Sequence, residues 1–339
     1  LAREDASPAA QGILIVAAAI MLREIGGPEV LQVEEISVRA PGEGEVRLRH
    51  TVIGVNFHDT YVRSGLYKTL PLPGIPGVEA VGVVETVGEG VTDFKPGDRV
   101  GYITSHYGAY ATERLIAADR LIRIPSDLDD RMVGAGLVKA FTALMLLTKL
   151  RPIRSGHKLL VHAAAGGVGK LLCQWAHYLG ADVIGTVGSA EKAAVALDNG
   201  CDYVILYREE SFAQRVRELT RGRGVDVVFD GVGKDTFEGS LECLAVRGHL
   251  INFGQSSGAV PPFAVSRLAE KSNTLVRPLL FHYIEGKSER QEMADQVFSA
   301  LRARVISVDV GAEYALKDVA DAHRALEARQ TTGSTVLIP

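Results

Sequence analysis

The chain has 339 residues, 47% of them hydrophobic and 23% charged, with 37 basic against 41 acidic side chains and a formal charge of −4. That composition can bury a sizeable core and excludes wholesale disorder. It also supplies no concentrated positive charge for nonspecific nucleic-acid binding, and at roughly 100–200 residues per domain it predicts two domains.

The first apolar run, residues 13–22, is too short to span a bilayer. No small-residue cleavage site follows it. Residues 1–16 are expected to be a loose extension and 17–23 a first strand. Residues 45–56 alternate, with Val46, Leu48 and Val52 on one side and Glu45, Arg47, Arg49 and Thr51 on the other. That is the period of a half-buried strand. Apolar runs at 78–87 and 98–104 are punctuated by Gly82, Gly88 and Gly101. Short strands with frequent glycine predict a curled, barrel-like β domain.

Beyond residue 137 the pattern changes to regular alternation. Strands are expected at 158–163, 182–187, 203–206, 225–230 and 250–253. Helices are expected at 167–179, 191–199, 209–220 and 235–246. The helix at 167–179 places Leu172, Trp175, Ala176 and Leu179 on one face. Such alternation with short connections makes this an α/β chain whose second half is a parallel sheet covered on both faces. A helix at 288–302 and a strand at 334–338 close the chain. Cys173, Cys201 and Cys243 are widely separated. They form no disulfide framework or Cys-based zinc motif, and a cytoplasmic setting is expected.

The strongest motif is LLVHAAAGGVG at 159–169, a buried strand, a glycine turn and a helix start. It fits G-x-G-x-x-G with Ala164 in the first slot, then Gly166 and Gly169. Gly166 lets backbone approach a pyrophosphate, Gly169 lets the helix sit close to the strand, and the helix N-terminus offers free N–H groups. An NAD site places an acid about 20 residues on, against the ribose 2′-OH. Here that region reads GTVGSAEK, with Gly188, Ser189 and Lys192 and no carboxylate at Gly188. A neutral pocket with a cation suits a 2′-phosphate, so NADPH is the expected cofactor. Tyr207 and Arg208, after the third strand, are placed to flank the adenosine.

Read together, GGPEVL (26–31), GVNFHDTYVRSGLY (54–67), PGVEAVGVVETVGEGV (76–91), KPGDRV (95–100), GAYAT (108–112), HAAAGGVG (162–169), GTVGSAEK (185–192), NFGQSSG (252–258) and GSTVLIP (333–339) resemble the zinc-free medium-chain dehydrogenase/reductase family. More closely they resemble its NADPH:quinone oxidoreductase, or zeta-crystallin-like, branch. The resemblance implies a GroES-like β-barrel domain of residues 17–137 plus 278–339, a Rossmann NADP-binding domain of residues 138–277, and a cofactor cleft between them. It also implies a homodimer joined through the strand around 273–277.

Family cofactor contacts fall on Asn56, Tyr61 and Tyr67 in the loop after a strand, and on Lys139 and Thr142 where a linking helix begins. They continue at Gly166, Gly167 and Val168 on the pyrophosphate, and at Gly188, Ser189, Lys192, Tyr207 and Arg329 around the adenosine and its 2′-phosphate. Val232, Phe253, Gly254, Gln255 and Ser256 would lie near the ribose and nicotinamide, with Pro278 and Leu279 bordering the nicotinamide. The catalytic candidates are Asn56 and Tyr61, which would hydrogen-bond either the acceptor oxygen or the nicotinamide ribose. No metal is implied: zinc-bearing relatives carry Cys at the position of Asn56 and His at that of Val78, and Glu79 alone is not a zinc site.

His58 stands where relatives tend to be apolar, and Met145 where close relatives often carry an aromatic. Both are expected to alter the acceptor site. His58 and Asp59 are expected to point apart in an extended loop. The activity implied is transfer of reducing equivalents from NADPH to a quinone, by hydride or single-electron steps. The alternatives are reduction of an enone double bond and a non-catalytic, crystallin-like NADPH- or RNA-binding role, for which only Arg221–Arg223 offers a basic string.

Overall fold

The computed structural model describes residues 14–329 and 331–339. Most of the expected extension, residues 1–13, lies outside them. Residues 15 and 16, also assigned to it, belong to the first strand β1 (Ile15–Leu22), which pairs antiparallel with β2 (Leu31–Val38).

Then follow β3 (Glu45–Val55), α1 (Phe57–Arg63), β4 (Glu79–Val87), β5 (Arg99–Ile103), β6 (Glu113–Ala117) and β7 (Ile122–Arg123). The long helix α2 (Asp130–Leu144) continues through wider, π-type turns at Met145–Leu150. The alternating half comprises β8 (Lys158–His162), α3 (Gly167–Tyr178), β9 (Asp182–Val187), α4 (Ala190–Asp198), β10 (Tyr203–Leu206), α5 (Phe212–Leu219), β11 (Val225–Asp230), α6 (Phe237–Cys243), β12 (Leu244–Asn252) and β13 (Thr274–Val276). The chain closes with α7 (Lys287–Arg302), β14 (Val310–Ala315), α8 (Val319–Glu327) and β15 (Ser334–Ile338).

Two large sheets organise these elements. One is seven-stranded in the order β14-β15-β3-β4-β5-β7, with β6 also paired to β3. The last strand therefore returns to the first half, with Leu337 opposite Ile53. The other sheet is parallel and six-stranded, in the order β10-β9-β8-β11-β12-β13. Its order reverses between β8 and β11, and the crevice beyond the strand ends at such a switch point is where α/β sheets bind ligands.

α2 lies between the sheets. It packs against β3, β4, β5 and β15 on one side and α3 and α7 on the other. Eleven of its fifteen residues are buried. A helix apolar on all sides belongs inside a protein, and this one is long enough to resemble a membrane span while lying within the core. Asp129 caps it by accepting from the amides of Arg131 and Met132. The helix thus begins nine residues before Lys139, which was expected to open it, and the expected boundary at residue 137 falls within it.

The predicted helix at 235–246 is also corrected. Leu244 leaves α6 and pairs with Val225, so β12 takes nine residues instead of starting near 250. Burial of Leu244 and Ala245 in the sheet outweighs the helical pattern.

Candidate active site

At the glycine turn, Gly166 is the N-cap of α3, in extended conformation. Gly169 faces the Ala163 carbonyl so closely that any Cβ would overlap it. Gly166, Gly167 and Val168 form the half-buried lip of the turn. A Cβ on Gly167 would come within 2.8 Å of Lys139 Cδ, so α2 closes against the turn. This is a backbone cradle of the kind that takes a pyrophosphate.

Further along the same sheet edge, Gly188 follows β9. Ser189 caps α4 by accepting from the Lys192 amide. Lys192 Nζ donates to the Arg329 carbonyl at 2.7 Å, and Arg329 Nη1 donates to the Tyr207 hydroxyl at 3.4 Å. Gly188, Ser189, Lys192, Tyr207 and Arg329 therefore converge, although Arg329 is 137 residues from Lys192. Arg329 lies just beyond α8 at φ 58°.

At the other end of the crevice, the loops after β11 and β12 are bonded together. Buried Asp230 accepts from the Val232 and Gly233 amides, while its carbonyl accepts from Phe253 N. Gly254 leaves only 2.6 Å between a would-be Cβ and the Gly231 carbonyl, and Ser256 N donates to that carbonyl. The Gln255 amide donates to the Tyr61 hydroxyl at 3.2 Å, directly linking the two halves. Arg277 makes the second link. It donates to the Asn252 carbonyl at 2.8 Å and to the Tyr67 hydroxyl. Pro278 and Leu279 follow it, Leu279 exposed.

Asn56, Tyr61 and Tyr67 do not share one extended loop, as expected from sequence. Asn56 caps α1, Tyr61 lies inside it, and Tyr67 follows it. Tyr61 and Tyr67 pack edge to face with centroids 5.0 Å apart. Asn56 Nδ2 donates to Glu79 Oε1 at 2.7 Å, and the Val138 amide donates to Glu79 Oε2 at 2.7 Å. Lys139 Nζ sits 3.7 Å from Glu79 and donates to the carbonyls of Ala135 and Val55. Glu79 is fully buried, and Asn56 and the Val138 amide satisfy its carboxyl oxygens there. Thr142 lies one turn beyond Lys139 on the same side of α2.

His58 and Asp59 do point apart, but on a helix. Asp59 turns inward, accepting from Asn56 N at 2.8 Å and from the Tyr110 hydroxyl at 2.9 Å. Tyr110 also meets His323 Nε2 at 3.1 Å, and Arg63 runs from His323 to Glu327 on α8. Burial raises the Asp59 carboxyl to about 7 and lowers His323 to about 3. Burial also pushes the Tyr61 phenol well up, so it remains a neutral hydrogen-bonding group. Met145, expected to shape the acceptor site, is instead enclosed in the core at 1% exposure.

Sequence reasoning missed Tyr107, Phe281 and Arg277. Tyr107 and Phe281 stand beside His58 at ring distances of 5.9 and 5.5 Å. Nothing local marks them, because each reaches the crevice from a separate loop.

A GroES-like half carrying a dinucleotide crevice against a doubly wound sheet defines a two-domain nicotinamide-dependent oxidoreductase fold. The family model described as the alcohol dehydrogenase GroES-like domain matches residues 42–126, and that described as zinc-binding dehydrogenase matches 167–300. A quinone oxidoreductase of Salmonella typhimurium is 46% identical over 327 residues, 96% of this chain and 100% of that protein. A 2-haloacrylate reductase of a Burkholderia species is 45% identical, over 95% of this chain and 98% of that protein. The crystal structure of Escherichia coli quinone oxidoreductase complexed with NADPH superposes with a TM-score of 0.92 at 45% identity, covering 95% of this chain and all of that one. The chain belongs to the quinone oxidoreductase family of medium-chain dehydrogenases/reductases. Despite the name of the second family model, no group of three or more metal-ligating side chains lies together among the described residues.

Proposed function

We propose that the protein is an NADPH-dependent quinone reductase that works without zinc. The observation that carries this reading is the two-ended crevice. One end gathers Lys192, Arg329 and Tyr207 around Gly188; the other joins Tyr61 to the Gln255 amide beneath an aromatic wall. The residues present fit NADPH. Gly166, Gly167 and Val168 would take the pyrophosphate, and Ser189, Lys192, Tyr207 and Arg329 the 2′-phosphate, with guanidinium and phosphate well matched in shape. Val232, Phe253, Gly254, Gln255, Ser256, Pro278 and Leu279 would border the ribose and nicotinamide.

When bound, NADPH supplies the hydride or electrons. The chain's own residues orient and exclude water. Asn56 and Tyr61 offer hydrogen bonds in the crevice, Tyr67 and Arg277 hold its two sides together, and Lys139 and Thr142 present α2 to the turn.

A division into 17–137 plus 278–339 and 138–277 is supported by the return of β14 and β15 to the first sheet, with α2 shared between the parts. A homodimer paired through β13 is supported by that strand's position at the sheet edge, and a cytoplasmic setting by the three free, buried cysteines. Independence from membranes is supported by burial of the apolar helix, and from nucleic acid by the charge of −4 and by pairing of Arg223 with Asp226.

The test is a paired titration with NADPH and NADH, followed by nicotinamide fluorescence, with turnover of 1,4-benzoquinone. NADPH binding at least tenfold tighter, about 1.4 kcal/mol, with quinone-dependent oxidation, is the expected result. Equal binding sinks the 2′-phosphate assignment. A second reading, reduction of an activated carbon–carbon double bond, is favoured by the full-length similarity to 2-haloacrylate reductase. Faster turnover of an enone than of the quinone would select it.

A further inference from the structure

His58 is a half-buried imidazole in the wall of the crevice, enclosed by Tyr107 (stacked), Tyr67 and Phe281 (both edge-on). Its Nε2 lies 3.2 Å from the Tyr107 hydroxyl. That hydroxyl in turn bonds the hydroxyl of Thr69, an exposed residue. His58 Nδ1 makes no hydrogen bond among the described residues and is not among their buried unpaired polar atoms. Three side chains from three separate segments thus make a continuous line of exchangeable protons, from the exposed Thr69 to the unpaired Nδ1 of His58.

We propose that His58 is the acid that protonates the acceptor oxygen, resupplied through Tyr107 and Thr69. The inference rests on the quinone-reductase reading and adds what that reaction still needs. Reduction of a quinone by NADPH consumes one proton: quinone, NADPH and a proton give hydroquinone and NADP⁺. Arrival of the hydride leaves negative charge on an acceptor oxygen. Nδ1–H of His58 gives its proton to that oxygen while Nε2 takes the proton of Tyr107. Tyr107 is refilled through Thr69 from water. The imidazole stays uncharged throughout, and exchange with water after product release restores its tautomer.

A neutral ring, donor at one nitrogen and acceptor at the other, is what this transfer requires. Burial keeps His58 neutral by lowering its pKa to about 4. The groups nearby agree with this state. Tyr67 and Tyr107 are both raised by burial, Arg277 is engaged with Tyr67, and the Asp59 carboxylate is turned toward Asn56 and Tyr110. His58 would touch the acceptor. Tyr107 and Thr69 act through it.

The experiment has two arms. In the first, ¹⁵N NMR of histidine-labelled protein without cofactor reads the His58 tautomer. The expected form carries its proton on Nδ1, with Nε2 hydrogen-bonded in the wild type and free in Tyr107→Phe. A resting Nε2–H tautomer would leave Nδ1 no proton to give and overturns the relay. In the second, Tyr107→Phe and His58→Leu are each expected to lower kcat for 1,4-benzoquinone at least tenfold, within the usual range for general acids. NADPH affinity by fluorescence stays within twofold, and added imidazole rescues only His58→Leu. Wild-type kcat in both variants overturns the relay and leaves the quinone reading standing. Loss of NADPH affinity in parallel with kcat, without imidazole rescue, also overturns it, by showing a packing role. Absence of quinone turnover in the wild type defeats the quinone reading itself, and the relay with it.

Discussion

Gly188 occupies the place of a ribose-binding acid, and a Cβ there would come within 2.8 Å of the Tyr207 hydroxyl. Gly188→Asp would therefore displace Tyr207 and set a carboxylate beside Lys192 and Arg329. We expect at least a tenfold loss of NADPH affinity, about 1.4 kcal/mol, with a smaller loss for NADH, read by the same fluorescence titration. An equal loss for both would mean that the turn had collapsed. The buried ionisable groups set the acid response. Burial holds His50 and His323 to about 3 and His58 to about 4, against about 6.5 in an unfolded chain. Between these values the unfolded chain takes up protons that the fold refuses, so these histidines lose stability as pH falls from about 6.5 toward 4. Asp59, raised to about 7, opposes them. Its contribution is present at low pH and is lost as pH rises through 7. Asp59→Asn removes that opposing proton uptake, and calorimetry should show Tm falling more steeply from pH 6.5 to 4 than in the wild type. An unchanged slope would mean that Asp59 is ionised in the fold.

Helices and strands differ in how far their own residues specify them. The strands Asp182–Val187, Tyr203–Leu206, Val225–Asp230 and Ser334–Ile338 have the bounds their apolar runs predicted, because each is short and closed by turn residues. α2 was harder to read. Its apolar residues surround the axis, so no 3.6-residue stripe marks its start, and its wide turns at Met145–Leu150 have no sequence signature. β14 and α8 were missed because packing sets them: β14 pairs with β15 across an intervening helix, and α8 packs on α1 and residues 28–30 in the first half of the chain. α7 is anchored by an interior arginine. Arg290 donates to the carbonyls of Ile284 and Glu285 and to that of Asp119, beside β6. Arg290→Leu would leave those carbonyls unpaired, and we expect a loss of about 3 kcal/mol in urea unfolding, with m unchanged. A loss below about 1 kcal/mol would mean that water replaces the guanidinium.

For the molecule as a whole, β13 is the exposed rim of the parallel sheet, and an unpaired edge invites another strand. If two copies pair there, Thr274→Asp places like charges against each other across the joint. Sedimentation at micromolar concentration should then show a dimer for the wild type and monomer for the variant, with NADPH binding retained. A wild-type monomer would remove the edge pairing. The larger consequence of this architecture is that the crevice belongs to neither half alone. Tyr61 reaches Gln255, Tyr67 reaches Arg277, and Lys192 reaches Arg329.

The glycine turn, the missing acid at Gly188 and the alternation of strands and helices are local patterns, and local patterns are written in consecutive residues. They were enough to determine the α/β class and to place the glycine turn, and the proposal of a phosphate-bearing cofactor starts from them. The partners of those residues were decided only in three dimensions. The capture of Glu79 by Asn56 and the Val138 amide, the burial of Asp59 against Tyr110 and the line from Thr69 through Tyr107 to His58 join residues 23 to 59 positions apart. Their energies depend on distance and desolvation, which sequence spacing does not encode.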